Sequence, residues 1–374
     1  MKAITIFSGY NFRAVIAICR YLAMHNLRAY IIANGRNDPI CYTNYQKWVI
    51  GYRKANVLDV AELKAYFFEI LTISRASRLL IIPTSEYLNR FLLQHMKEFL
   101  NIELPLVNLE LYQLISDKES FKEICNCFSI FSPAQKTVSL DKPEYPFVAK
   151  RKTYSMDKNL QVKPYLIFTE YDYRNFLDKE NLNDFYFEEY ISGKSYYLLY
   201  SFDKKGNYRF FSQLNLIQQS GGKSIIAATN SDMKLDEVGG QYIKLFQHIG
   251  FFGLVMVEIR ESKGSFYMIE ANPRVWGPIQ FVVDNCPELL DLFFNSNGFE
   301  NVVSNKPKRQ DYFWFGGYFF DRINANPINF FNTKKSCLDD ISLANWLRSD
   351  VFLREDTINY FHKELEQIKA ENNG

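Results

Sequence analysis

The sequence predicts an α/β protein, with a parallel sheet in the first 110 residues and antiparallel strands in much of the rest. Short apolar runs alternate with stretches of helical apolar spacing between residues 1 and 110, and this alternation is typical of a parallel sheet with helices on both faces. Further along, apolar and polar residues alternate as in half-buried antiparallel strands. We therefore expect an α/β unit followed by an α+β part.

Composition limits the classes of protein that fit. The chain has 374 residues, of which 47% are hydrophobic and 23% charged, as in a globular protein of two or three domains. Its net charge of +2 does not indicate a nucleic-acid or membrane partner, and no apolar run approaches the ~18 residues of a transmembrane helix. Six cysteines without a CxxC pair and only four histidines argue against a zinc site. We expect a cytoplasmic protein with reduced thiols.

Strands and helices alternate through the first 110 residues. The predicted elements are strands at 3–7, 29–33 and 79–82 and helices at 11–26 and 86–100. The first strand leads into a tight turn at Ser8-Gly9. This turn lacks the GxGxxG fingerprint, so dinucleotide binding there has weak support.

The rest of the chain contains both element types and one irregular loop. The predicted elements are a helix at 116–126, strands at 147–150, 165–168 and 184–193, an antiparallel hairpin over 195–211, a loop at 220–224 and a helix at 236–249. After about residue 305 the sequence is less periodic, and we expect it to end in a polar, exposed helix over 356–371.

Two carboxylates and an amide stand at the ends of two strands that are expected to pair. Glu270 and Asn272 are two residues apart, so on an extended chain their side chains point the same way. Glu258 lies 12 residues earlier, across a short turn at 262–265, so a hairpin brings it beside Glu270. Such ligands suit Mg²⁺ shared with nucleotide phosphates, and Arg274 could meet an anion beside the metal. The alternative is an ordinary hairpin with solvated carboxylates.

Two lysines and two glycines elsewhere could handle phosphate groups. Lys150 ends a predicted strand, and Lys152 follows two residues later on the same face. Gly221 and Gly222 lie in the loop at 220–224, whose backbone N–H groups could fold over phosphates. The plainer interpretations are solvated lysines and a surface turn.

An acidic strand end precedes the exit turn at Ser192-Gly193. It consists of Glu188, Glu189, Tyr190 and Ile191. Its backbone carbonyl and amide groups could pair with the edge of an adenine ring. By itself, however, the segment is only an acidic strand end.

In this order and spacing, the segments resemble the ATP-grasp superfamily. They look most like the small carboxylate–amine ligases related to the carbamoyl-phosphate synthase large chain and biotin carboxylase. The resemblance covers the chain in outline and is most specific from Tyr145 to Gln280. The matching parts are the lysine strand at 147–150, the hinge at 188–193, the start of the central domain at Asp117-Lys118, and Glu258, Glu270, Asn272 and Arg274.

The resemblance implies a role for each candidate residue. Glu258, Glu270 and Asn272 would be metal ligands, and Arg274 would be the catalytic arginine. The expected nucleotide contacts are Lys150, Lys152, Glu188, Glu189, Tyr190, Ile191, Gly221 and Gly222. The implied cofactors are ATP and Mg²⁺, with Mn²⁺ as an alternative metal.

The resemblance also implies a division of the chain and a two-lobed fold. The expected parts are a Rossmann-like domain at 1–110, an ATP-grasp small lobe at 111–190, a large lobe with the metal site at 191–304, and a C-terminal extension at 305–374 packed on the large lobe. Dimers are common in similar enzymes, so a homodimer is expected.

The implied function is an ATP-dependent carboxylate–amine ligase that works through an acyl phosphate. Its partners would be a small-molecule or peptide carboxylate and an amine. The alternatives are a carbamoyl-phosphate-type or carboxylase reaction on bicarbonate, and a catalytically weak ATP-binding regulatory protein.

Three departures from the family pattern bear on this choice. The segment at 152–156 replaces the usual glycine-rich phosphate loop. The Gly193-Lys194-Ser195 segment lacks the acidic residue that often contacts ribose, and the strand at 213–218 lacks a basic residue near the phosphates.

Overall fold

Three β-sheets organise the molecule. The computed structural model describes residues 1–54, 57–137, 143–152, 164–231, 238–305, 310–331 and 340–372. Within these ranges there are a five-stranded, a three-stranded and a seven-stranded sheet. The predicted α/β class, with a parallel sheet first and antiparallel sheets after it, is confirmed.

The first sheet is parallel and opens a crevice at one edge. Its strands are β1 (Lys2–Phe7), β2 (Ala29–Ala33), β3 (Val49–Tyr52), β4 (Arg78–Ile81) and β5 (Ile102–Glu103), accompanied by helices α1 (Phe12–Met24), α2 (Val60–Ser74) and α3 (Glu86–Gln94). The order β3-β2-β1-β4-β5 adds strands first to one side of β1 and then to the other. The loops after β1 and β4 therefore run apart, and ligands commonly bind at such a switch point.

The predictions for this sheet were partly right. The strands expected at 3–7, 29–33 and 79–82 are confirmed as β1, β2 and β4, while β3 and α2 were not predicted. The helix predicted over 86–100 is wrong at its end, because it stops at Gln94. His95 leaves the helical conformation (φ −102°, ψ 15°), and a separate turn of 3-10 helix follows at Met96–Glu98.

The second sheet is small and antiparallel. The elements of this part are β6 (Phe147–Arg151), β7 (Tyr165–Ile167) and β8 (Phe185–Glu189), with helices α4 (Leu109–Ser116), α5 (Lys118–Cys127) and α6 (Glu170–Leu177). The central strand is β6, and its register sets Val148 opposite Glu188 and Lys150 opposite Tyr186. Lys150 and Glu188 consequently lie on the same face of the sheet.

The third sheet is antiparallel throughout. Its elements are β9 (Lys194–Phe202), β10 (Tyr208–Gln218), β11 (Ile225–Asn230), β12 (Gly253–Ser262), β13 (Ser265–Asn272), β14 (Tyr312–Phe313) and β15 (Asn329–Phe330), with helices α7 (Gly240–His248), α8 (Gln280–Asn285) and α9 (Glu288–Ser296). The order is β13-β12-β9-β10-β11-β14, with β15 paired to β10. The predicted hairpin over 195–211 is confirmed as β9 and β10. The domain limits expected at 110, 190 and 304 stay predictions.

The last part of the chain adds α10 (Phe315–Ile323), α11 (Asp340–Leu347) and α12 (Ile358–Asn372). The exposed character predicted for the final helix is confirmed on one side only, where Glu366, Gln367 and Lys369 are exposed. Tyr360, Phe361, Glu364 and Ile368 are at most 8% exposed, because this helical stripe packs against the rest of the molecule. Among the residues that the structure describes, no helix is both long and apolar enough to cross a membrane.

A buried arginine joins this last part to the first sheet. Arg20 of α1 donates to both carboxylate oxygens of Asp356, at 2.7 and 2.9 Å, and to the Thr357 hydroxyl at 2.6 Å. It also donates to the Gln280 side chain and to the Val351 carbonyl. The C-terminal residues are thus attached to the N-terminal sheet as well as to the strands of the third sheet.

Candidate active site

The β12–β13 hairpin sets the two predicted metal-binding carboxylates opposite each other. A two-residue turn at Lys263-Gly264 joins the strands, and both residues have positive φ, as a tight primed turn requires. The register pairs Glu258 directly with Glu270, as the 12-residue spacing predicted. The register then shifts between Glu258 and Ile259, which leaves Ile269 as an extra residue on β13.

Asn272 and Arg274 continue the same arrangement beyond Glu270. The Asn272 amide donates to the Glu270 carboxylate at 2.8 Å, and the Arg274 guanidinium donates to the Asn272 side-chain oxygen at 3.1 Å. Arg274 also donates to the Val275 carbonyl at 3.1 Å. The structure therefore brings together all four residues that the sequence picked out at the strand ends.

Lys118 is a site residue that sequence reasoning missed. Its ammonium lies 3.1 Å from the Glu270 carboxylate. Burial raises the pKa of Glu270, but Lys118 and Asn272 outweigh it and hold this pKa at about 2. A signal did exist, because Lys118 is the first residue of α5, and a cation there opposes the positive end of the helix dipole.

Glu258 is in a different electrostatic state from Glu270. It is only 6% exposed, and burial raises its pKa, with a further contribution from the negative charge of Glu270. Arg260 opposes this rise from 3.3 Å. A second cation near Glu258 would relieve the remaining cost of burying its charge, so the pair of facing carboxylates suits a divalent metal.

Arg260 lies close to the strand at 213–218, where the sequence lacks the basic residue of the family pattern. Its guanidinium stacks over the Phe331 ring at 4.3 Å and lies 3.4 Å from the Gln218 side-chain oxygen. The part of β10 at 213–218 lacks a basic residue, but Arg260 of β12 places a positive charge beside its end. The alternation of Glu258 and Arg260 on one strand face could have shown this.

Lys150 lies where the small sheet meets the hairpin. It is 4% exposed, forms an ion pair with Glu188, and donates to the Ile269 carbonyl at 3.3 Å. Burial lowers the pKa of Lys150, while Glu188 opposes this shift. The extra residue on β13 thus supplies the carbonyl that contacts the predicted phosphate lysine.

The other hinge residues and Lys152 have mixed environments. The Glu189 side chain is exposed, and its backbone N–H donates to the Ala134 carbonyl at 2.9 Å, so that N–H is already used within the protein. Ile191 is buried, and Tyr190 is half-buried. Lys152 is exposed and lines the cleft described next.

Two connected cavities meet at these residues. The smaller one, of about 90 Å³, lies between the small sheet and the hairpin, and we call it the inner pocket. Its lining includes Val148, Lys150, Leu166, Glu188, Glu189, Tyr190, Ile191, Gly222, Glu258, Arg260 and Glu270. The larger one, of about 490 Å³, extends to the first sheet, and we call it the outer cleft. Its lining includes Asn11, Arg13, Glu86, Lys118, Lys150, Lys152, Gly222, Glu270, Asn272 and Arg274.

The two cavities share a junction of three charged residues, one glycine and one proline. The residues that line both of them are Lys118, Lys150, Pro164, Gly222 and Glu270. Gly222 has a φ of +69°, as does Gly221, which is not part of either lining. In the outer cleft basic side chains outnumber acidic ones by seven to three, so it attracts anions.

The segment after Asn272 connects the junction to the crevice of the first sheet. The Val275 N–H donates to the Pro83 carbonyl at 2.9 Å, in the loop after β4. The Val275 carbonyl accepts from the Asn11 side chain at 3.3 Å, in the loop after β1. Arg274 is therefore positioned between the carboxylate pair and the switch point of the parallel sheet.

The arrangement can bind a polyanion along one line. The inner pocket combines the apolar side chains of Val148, Leu166 and Ile191 with backbone groups of the hinge, which suits a flat base. Lys150 lies at the junction, and the facing carboxylates lie next to it. The segment at 152–156, predicted to replace the phosphate loop, extends outside the described residues from position 153.

Comparison with known proteins identifies the fold. No protein-family model matches the sequence, and no curated protein sequence matches it. Among solved structures, the biotin carboxylase domain of Hydrogenobacter thermophilus 2-oxoglutarate carboxylase has a TM-score of 0.59 at 14% identity, covering 82% of this chain and 72% of that one. Biotin carboxylase from Campylobacter jejuni has a TM-score of 0.59 at 16% identity, covering 81% and 72%.

A third similar structure comes from a different enzyme. N5-carboxyaminoimidazole ribonucleotide synthetase from Thermus thermophilus has a TM-score of 0.57 at 11% identity, covering 82% of this chain and 81% of that one. The Hydrogenobacter structure is a dimer with MgADP, ADP and bicarbonate, in keeping with the ATP and Mg²⁺ expected from the sequence. The chain therefore has the ATP-grasp fold that its sequence resembles, in common with biotin carboxylases and N5-carboxyaminoimidazole ribonucleotide synthetases.

Proposed function

We propose that this protein is an ATP-dependent ligase that activates a carboxylate as an acyl phosphate and joins it to an amine. The observation that carries the proposal is the connected set at the junction. Glu258 faces Glu270, Asn272 links Glu270 to Arg274, and Lys150 lies beside them on the small sheet. The ATP-grasp fold and the anion-attracting outer cleft support the same conclusion.

ATP would occupy both cavities in this proposal. The adenine would lie in the inner pocket against the hinge residues Glu188, Glu189, Tyr190 and Ile191, and the phosphates would pass Lys150 towards the outer cleft. Lys152, Gly221 and Gly222 would approach the phosphates from the cleft side.

The metal would be held by Glu258, Glu270 and Asn272, with Mg²⁺ as the expected ion and Mn²⁺ as the alternative. When bound, it would neutralise phosphate charge and orient the terminal phosphoryl group. Two carboxylates and an amide fill only part of a magnesium shell, so phosphate oxygens and water would complete it.

Arg274 would bind the substrate carboxylate and align one of its oxygens with the terminal phosphorus. That oxygen forms the new bond as ADP leaves, and Arg274 together with Lys150 stabilises the charge that develops. The amine nitrogen then attacks the acyl carbon, phosphate leaves with the bonding electrons, and the nitrogen loses a proton. Phosphorylation is needed because a free carboxylate is a poor electrophile.

Bicarbonate is the second candidate for the activated carboxylate. The Hydrogenobacter structure contains bicarbonate together with MgADP, and the cationic outer cleft would also accept this small anion. The product would then be a carbamate, in which the amine nitrogen carries the new carboxyl group, instead of an amide.

The test is ADP release by the full chain with Mg²⁺, pooled amines, and either pooled carboxylic acids or bicarbonate. Release that requires a carboxylic acid and an amine, with a product mass equal to their sum minus water, supports the ligase. Release that requires only bicarbonate and an amine supports the second candidate. Tight ATP binding without turnover in any pool would overturn both and favour an ATP-binding regulatory protein.

A further inference from the structure

Arg13 is a cation that lines the outer cleft but not the inner pocket. One of its terminal nitrogens donates to the Tyr312 hydroxyl and to the Ile225 carbonyl, both at 3.0 Å. Its guanidinium lies over the Trp314 ring at 4.0 Å. Contacts from β11, from β14 and from Trp314, just before α10, therefore hold this half-buried side chain of α1 in place.

The contacts of Arg13 leave one side of its guanidinium open to the cleft. A side-chain carbon at Gly277 would lie 2.9 Å from the second terminal nitrogen, so the glycine leaves space beside that nitrogen, and both residues line the outer cleft. Among the described residues, no carboxylate forms an ion pair with Arg13. An arginine stacked on an indole, with one free edge in a cleft, is arranged to receive an anion.

Glu364 is the acidic residue most closely associated with this assembly, and it does not act as the counter-ion. Its carboxylate accepts from the Trp314 indole N–H at 3.1 Å, and burial raises its pKa to about 7. It is therefore about half protonated at pH 7. It bonds the ring on which Arg13 stacks and, within the described residues, forms no ion pair with Arg13.

Arg13 and Arg274 both line the outer cleft, and neither donates a hydrogen bond to a carboxylate among the described residues. Both are bound to neutral groups, and both line the cavity where it meets the loops after β1 and β4. The segment from Arg274 to Gly277 runs between them. The cleft thus has two separate cationic positions outside the region assigned to ATP.

We propose that the outer cleft takes a substrate with two acidic groups, one activated at Arg274 and a second, a carboxylate or a phosphate, bound at Arg13. This inference rests on the ligase function proposed above, because that function assigns the first group to Arg274. A substrate with a single carboxylate would make no ionic contact with Arg13, so it would bind less tightly than a substrate with two acidic groups.

The test measures binding to the full chain saturated with MgADP, by calorimetry. One arm compares malonate, succinate, glutarate and adipate with monocarboxylates of the same carbon number. The other arm compares phosphonoacetate and 3-phosphonopropionate with acetate and propionate. We expect a dianion in at least one arm to bind about tenfold or more tightly than its partner, since a charged hydrogen bond contributes on this scale. The arm that responds identifies the second group as carboxylate or phosphate.

The Arg13→Gln variant makes the assignment specific. Glutamine can still donate to the Tyr312 hydroxyl but has no charge, so the preference for dianions should disappear while the binding of monocarboxylates is unchanged. Arg28→Gln is the control, because Arg28 is an exposed arginine outside both cavities. Circular dichroism and a thermal melt establish that both variants are folded.

No dianion preference, or a preference that survives in Arg13→Gln, would overturn the inference. Failure of the proposed function would give a different result. ADP release would be absent in every substrate pool, while the Arg13-dependent preference for dianions would remain. If MgADP does not bind, the same titrations are run on the nucleotide-free protein. A dianion preference that is lost in Arg13→Gln still supports the inference, and its absence or its survival in that variant still overturns it.

Discussion

The inner pocket and the outer cleft share a junction but are built in different ways. Most of the inner pocket comes from two paired strands of the small sheet and one hairpin of the large sheet. The outer cleft draws Arg13, Glu86, Lys118 and Arg274 from four segments far apart in the chain. If the proposed function is correct, nucleotide binding is specified by local sequence patterns, whereas substrate choice depends on how distant segments pack.

The comparison of the two cavities predicts the largest loss of turnover for a substitution at the junction, where the cavities meet. Glu270→Ala removes a proposed metal ligand together with the partner of Lys118 and Asn272. We expect turnover, measured as ADP release, to fall by about 10³-fold or more, since metal-assisted charge stabilisation contributes several kcal/mol. The control is Glu261→Ala on the same hairpin, whose side chain bonds Tyr196 outside both cavities. Near-normal turnover in Glu270→Ala would mean that the metal assignment is wrong.

The second-largest effect is expected for a substitution in the outer cleft, which should lower kcat without weakening nucleotide binding. Arg274→Ala should lower kcat by about 10²–10³-fold, as the loss of a charge-stabilising donor does in other enzymes. ADP affinity, measured by calorimetry, should stay close to that of the unchanged protein, because Arg274 is not part of the inner pocket. A large loss of ADP affinity would show that the two cavities are not separable.

A smaller effect is expected for Lys150→Met, on the side of the inner pocket. Nucleotide affinity should weaken by about 10–100-fold, the range for a lost charge-assisted hydrogen bond. The change also leaves Glu188 buried without its cation, so the single variant should be less stable in urea. The Lys150→Met/Glu188→Gln double variant should regain stability but not affinity. Full affinity in either variant would remove Lys150 from the nucleotide site.

The smallest effect on catalysis is expected at Glu364, whose carboxylate accepts from the Trp314 ring on which Arg13 stacks. Its pKa is raised from 4.5 to about 7, so the folded state binds the proton more tightly than the unfolded state. Stability should therefore fall as pH rises from about 4.5 to 7, by at most roughly 3 kcal/mol, and should then level off.

The measurement is urea unfolding of the unchanged protein, Glu364→Gln, and the exposed control Glu366→Gln at pH 5 and pH 8. Glu364→Gln should lack this part of the pH dependence, and Glu366→Gln should retain it. An equal pH dependence in all three proteins would contradict the raised pKa of Glu364.

Sequence reasoning reached the site wherever a short pattern determines geometry. Spacing and alternation were enough to place Glu258, Glu270, Asn272 and Arg274 together, because a hairpin turn fixes which residues face each other. The same reasoning placed Lys150 at the end of a strand. It did not show that Lys150 would be buried against Glu188 and the Ile269 carbonyl, since that depends on how two sheets meet.

The residues that were missed share one property. Lys118, Arg260 and Arg13 acquire their contacts in the site through tertiary packing, which the sequence pattern around each of them does not specify. Lys118 and Arg13 do lie in the first turns of α5 and α1, where a cation is unfavourable to the helix dipole. A basic residue in the first turn of a helix is therefore a sequence signal that can indicate a cleft residue. The buried stripe on α12 was missed for a related reason, because its partners lie far away in the chain.

The bonds of Arg20 have a consequence for the order in which the chain folds. They join residues separated by 336 positions, so α1 completes its packing only when the segment around Asp356 is present. Contacts of such long range form late, because closing a large loop costs entropy. We expect α1 in a ribosome-bound chain to stay sensitive to protease until residue 357 has emerged. Equal protease resistance in nascent chains arrested before and after that point would contradict this.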